Sequence, residues 1–143
     1  MPIVTLVAAD SATPVGTALN PLVTSGGIGT AVSASSGNVA AGVATATLAA
    51  NATKTNYLSG FEITGGGATA ASVITATVTG LLGGTLSYNI PVPAGATLGI
   101  TPLVVEFNPP LPGSAINTAI VVSAPSFGAG NTNAAVNAHG FQL

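Results

Sequence analysis

Across residues 72–92 apolar and hydroxyl side chains alternate one for one. Ile74, Ala76 and Val78 fall on one face of an extended strand, and Thr75, Thr77 and Thr79 fall on the other. After Gly80, Gly83 and Gly84 the alternation resumes through Leu86, Tyr88, Ile90 and Val92. Two period-2 runs joined by a short glycine-containing connection predict a β-hairpin with one buried face and one hydroxyl-rich face.

The same period recurs along the chain. A short β-prone run covers residues 3–9, and residues 43–51 open a denser series. Within 57–64, Phe61 and Ile63 oppose Gly60, Glu62 and Thr64, and Gly65, Gly66 and Gly67 end the strand. Residues 97–107 set Leu103, Val105 and Phe107 against Val104 and Glu106. Pro109, Pro110 and Pro112 fix φ and remove donors, so 108–113 reads as a rigid extended connection. Ile116, Thr118, Ile120 and Val122 share a face of 116–124, and a last strand runs through Val136, Ala138 and Phe141.

Strands recurring about every 10 residues between Gly/Pro turns, with no capped helical period, specify an all-β sandwich or barrel. The expected fold is a jelly-roll-like antiparallel β-sandwich with an N-terminal arm. Residues 43–143 form the sandwich, and residues 1–42, rich in Gly, Ser, Thr and Ala, form the arm or an exchanged strand segment. Such an arm becomes ordered only where a sheet or a partner holds its backbone. The expected core is Phe61, Ile63, Ile74, Val78, Leu86, Ile90, Val105, Phe107, Ile120 and Val122.

Composition narrows the function. The groups that carry or can carry side-chain charge near neutral pH are Asp10, Lys54, Glu62, Glu106 and His139, and only 3% of the 143 residues are charged, against about 25% in ordinary domains. One lysine and no arginine supply no footprint for a phosphate backbone, which excludes direct nucleic-acid binding. A net charge of −2 is a thin defence against self-association. Mean hydropathy is +0.70, yet no apolar run approaches the ~18 residues of a spanning helix. Four Phe and two Tyr are too few for the aromatic girdles of a membrane barrel. The first ten residues lack a basic leader and read as a mature N-terminus. Cysteine is absent, so there is neither a disulfide framework nor a thiolate ligand.

The candidate chemistry is sparse. A Ser/His/Asp triad would have to join His139 to Asp10 and to a serine outside any nucleophile motif. Glu62 and Glu106 are the only glutamate pair a glycosidase could use, and each falls on the polar side of its strand, where Lys54 could partner one. One histidine and three scattered carboxylates make no metal set. Residues 27–32, from Gly27 to Val32, carry part of a dinucleotide fingerprint without its third glycine and read as loop composition. Asn51, Ala52 and Thr53 match a glycosylation acceptor by chance. No catalytic, cofactor-binding or metal residue is assigned, and no cofactor is expected.

Three runs, YLSGFEIT over 57–64, GLLGGTLSY over 80–88 and FGAGNTNAAVNAHGF over 127–141, resemble small structural proteins of tailed bacteriophages, in particular the β-sandwich decoration or cement proteins of phage capsids. The resemblance spans about residues 43–143 and carries over no site residue. It implies a non-enzymatic virion protein on the capsid exterior, made in the host cytoplasm. Its partner would be the major capsid protein, and it would be a homo-oligomer, a trimer or a dimer. The alternatives are a fibre or tail adaptor and a carbohydrate-binding sandwich; the last needs an aromatic platform, and Trp is absent.

Overall fold

A computed structural model describes residues 29–143. Eight strands, β1 (Thr30–Ser35), β2 (Ala44–Leu48), β3 (Asn56–Gly66), β4 (Ser72–Thr79), β5 (Leu86–Val92), β6 (Leu103–Pro112), β7 (Ile120–Ala124) and β8 (Asn133–Gln142), form two antiparallel sheets. Their orders are β1-β8-β3-β6 and β2-β7-β4-β5. Every connection along the chain except β4–β5 crosses from one sheet to the other, which is the two-Greek-key wiring of a jelly roll.

The β4–β5 hairpin has the expected register, with Ile74 opposite Ile90, Ala76 opposite Tyr88 and Val78 opposite Leu86. Its apolar set points into the core. Phe61, Ile63, Ile74, Val78, Ile90, Ile120 and Val122 are buried as expected. Leu86, Val105 and Phe107 are only half-buried, because β5 and β6 are edge strands. Phe61 anchors the thick side of the core, meeting Tyr88 edge-on at 5.2 Å and Phe107 at 6.2 Å. Toward β2 and β8 the core is alanine and valine: Ala44, Ala46, Ala134, Ala138 and Val136. Small side chains let the sheets close in there, and β2 comes within 8 Å of β8 between Cα atoms.

Four sequence expectations are corrected. The boundary expected at residues 42/43 lies inside the sandwich: β1 is paired along its length with β8, so the sandwich begins by Thr30. Residues 36–42 of the expected arm connect β1 to β2, with Val39 N–H donating to Ala134 O at 2.8 Å, and residues 1–28, including the run 3–9, lie outside the described residues. Residues 108–112 are strand rather than connection, because β6 is an edge and proline is tolerated where no neighbour needs its N–H. Residues 116–119 precede β7, and Ile116 is exposed. Gly65 and Gly66 belong to β3, where Ile100 N–H donates to Gly65 O at 2.8 Å and Gly67 N–H to Leu98 O at 3.0 Å.

In β3 the inward positions are Asn56 and Leu58, then Phe61 and Ile63. The phase changes at Ser59, where the register slips against both neighbours, which is the signature of a β-bulge.

Candidate functional site

The bulge in β3 places Gly60 on the outer face of its sheet, in one row with Ser33 of β1, His139 of β8 and Glu106 of β6. Gly60 has no side chain, so the Glu106 carboxylate lies over β3 and reaches His139. His139 Nε2 is 3.4 Å from each carboxylate oxygen. A Cβ at Gly60 would stand 2.7 Å from Glu106 Oε2 and 2.6 Å from Val105 O. Glu62 stands on the same face, opposite Asn137 and Val104, and is the diagonal neighbour of Glu106. The two glutamates thus come together, as a glycosidase reading would need. They nevertheless project from an open sheet: the side chains of His139 and Glu106 are 43% and 63% exposed, and Glu62 is exposed.

Lys54 pairs with neither glutamate. It sits in the β2–β3 turn and its Nζ donates to Thr30 Oγ1 at 2.7 Å. Asp10, the aspartate of the candidate triad, lies outside the described residues, as do Gly27 and Ile28 of the partial fingerprint. Gly29 abuts the Phe141 ring, and Thr30, Ala31 and Val32 enter β1 with no helix after them. A dinucleotide pyrophosphate needs such a helix N-terminus. Asn51 builds a turn, its Oδ1 accepting from Thr53 N–H at 3.1 Å and Thr53 Oγ1 at 3.2 Å. Among the described residues no three His, Asp or Glu side chains gather as a metal set.

In the adjacent row Phe141 stacks on Tyr57, centroids 5.0 Å apart and planes 5° from parallel. Each ring spends a face on the other, and Gly29 lies against Phe141, so the pair offers no flat platform for a sugar ring.

The opposite sheet has a different outer face. Thr45, Ser123, Thr77 and Ser87 form one row across all four strands, flanked by Thr47, Thr75 and Thr79. The hydroxyls partly satisfy one another: Thr45 Oγ1 and Ser123 Oγ are 3.3 Å apart, and Thr75 Oγ1 donates to Asn89 Oδ1 at 2.9 Å. None of β2, β4, β5 and β7 contains a charged residue. The absence continues into the four loops at one end of the sandwich, residues 36–43, 67–71, 93–102 and 125–132. There Gly65, Gly66 and Gly67 with residues 96–99 and Asn133 border an open trough of about 430 Å³. Beside it the buried Asn131 donates from Nδ2 to Gly66 O and Asn133 O, both at 2.8 Å. Its Oδ1 has no partner among the described residues.

Sequence reasoning missed a buried polar knot at the other end. Asn56 Nδ2 donates to Thr118 O at 2.8 Å and Ala49 O at 3.0 Å, and Gln142 Nε2 donates to Asn56 Oδ1 at 2.9 Å. The only trace of it in the sequence is that Asn56 occupies the inward phase of Leu58.

The charge is therefore divided. Among the described residues Glu62, Glu106 and His139 share one outer face and Lys54 lies at the far end, while the hydroxyl face and the four-loop end carry none. No family model matches this chain, and neither the curated proteins nor the solved structures gave a match.

Proposed function

We propose that this chain is a structural, non-enzymatic virion protein that decorates and stabilises a phage capsid by binding between major capsid subunits. The observation that carries the reading is the divided charge among the described residues: a continuous uncharged surface of short, mutually bonded side chains opposite a face that holds Glu62, Glu106 and His139. Protein interfaces are depleted of charge at their centres, and short side chains lose little rotamer freedom when covered. In this reading the hydroxyl face and its adjoining loops seat on the shell and the Glu62–Glu106–His139 face meets solvent. Jelly rolls serve viral capsids and lectins alike, so the fold supports the reading without carrying it.

The test adds the purified protein to phage particles that lack it and counts bound copies after sedimentation. Thr47→Lys with Thr75→Lys should weaken binding at least about tenfold, since charges trapped without partners cost ~1.4 kcal/mol or more. Asn137→Lys, on the opposite face, should bind as the unaltered protein does. Loss with Asn137→Lys alone would reverse the orientation. Full binding by both variants, or none by the unaltered protein, would defeat the reading.

A further inference from the structure

Of the four strands that end a sheet, two carry proline: Pro91 in β5, and Pro109, Pro110 and Pro112 in β6. Proline removes donors and blocks the approach of another strand, so that side of the sandwich is closed to pairing. On the other side β1 has neither proline nor charge. Ser36 N–H donates to Val136 O at 2.9 Å, which fixes the ladder phase: even-numbered residues of β1 turn their backbone groups toward β8. Ala31, Ser33 and Ser35 therefore turn theirs away. These N–H and C=O groups have no partner among the described residues.

We infer that β1 is a docking edge for a second copy of this chain, the two β1 strands pairing antiparallel about a two-fold axis at Ser33. That register sets Ser33 against Ser33, and Ala31 against Ser35 in both directions. Each is a hydrogen-bonded pair exchanging two bonds, so every outward N–H and C=O of the three residues is satisfied. Side chains on the strand run no larger than valine, which lets the backbones approach. With no charge on β1, a strand laid against its own copy meets no like-charge repulsion. The result is a continuous eight-stranded sheet, and the proline-bearing β6 at both of its ends stops the addition at two. Gly29, just before the strand, lies against Phe141 and Gln142 of β8. The dimer requires no capsid, so its failure and that of the proposed role are read separately.

The chain has no cysteine, which makes a single-thiol test clean. In full-length protein, Ser33→Cys places two thiols opposite each other at about 5.5 Å between Cα atoms, within disulfide reach. Oxidation should convert most of it to a covalent dimer, whereas Ala31→Cys and Ser35→Cys should cross-link as a mixture and far less alone. Sedimentation should give twice the chain mass for the unaltered protein and for Ser33→Ala. Ser33→Pro, which removes only an outward N–H, and Ser33→Lys should both sediment as monomers with unchanged circular dichroism. A monomeric unaltered protein, as would follow if residues 1–28 cover the edge, overturns the inference. So does an oligomer that survives both Ser33→Pro and Ser33→Lys, or a Ser33→Cys protein that does not cross-link.

Discussion

Gly60 shows how much one missing methyl decides. Gly60→Ala would put carbon into space taken by the Glu106 carboxylate and Val105 O, so β6 must shift or the His139 contact must break. Denaturant unfolding should show a loss of roughly 1–3 kcal/mol. His139→Ala, by contrast, removes a half-exposed pair and should cost under ~1 kcal/mol. A loss from His139→Ala as large as that from Gly60→Ala would mean the Glu106–His139 contact, not the steric gap, is what Gly60 protects. Tyr88 supplies a pH signature. Burial raises its phenol above the ordinary 10.0, so the unfolded chain gives up that proton first as pH climbs. The contribution is intact below about pH 10 and is lost as pH rises from there through the folded value. The thermal midpoint should therefore fall in that window, and Tyr88→Phe should make the fall shallower; an identical pH profile for the variant would rule the phenol out as the cause.

Among the elements, the hairpin offers the sharpest contrast. Gly80 has φ +84°, and a Cβ there would lie 2.0 Å from Ala119 O, whereas a Cβ on Gly83 would meet nothing within 4 Å. Gly80→Ala should cost on the order of 1–3 kcal/mol and Gly83→Ala should be close to neutral, both read from denaturant midpoints. Equal costs would mean the turn rearranges freely. This hairpin was legible from sequence because strict alternation fixes facing and glycine fixes the turn. The edges of the sheets were less legible. The prolines of β6 are indistinguishable in sequence from a connection, since their place depends on having no neighbour on one side. β1 reads as arm because alanine and serine alternate too weakly in hydropathy to mark an inward face; Val32 and Ala34 point inward only because β8 lies beside them. The row joining His139 to Glu106 was illegible for a different reason: the two are 33 residues apart in sequence and meet only through the register of β3.

For the molecule as a whole, the scarcity of charge sets how its contacts respond to solvent. A dimer held by backbone bonds and small side chains should sediment almost identically at low and high salt, since screening acts on exposed charges; dissociation by salt would place ion pairs at the interface. One feature of the wiring governs how such a molecule comes into being. β8 is the strand between β1 and β3, so the sheet β1-β8-β3-β6 has no middle until residues 133–142 exist. A chain growing at about 5–20 residues per second therefore has β1 unpaired and β3 exposed on one side until β8 emerges. Nascent chains arrested before residue 133 should be cut readily by protease, while those with Gln142 clear of the ribosome should resist. The fold thus keeps its own clock: β1 cannot present a finished edge to another copy until residues 133–142 have been made.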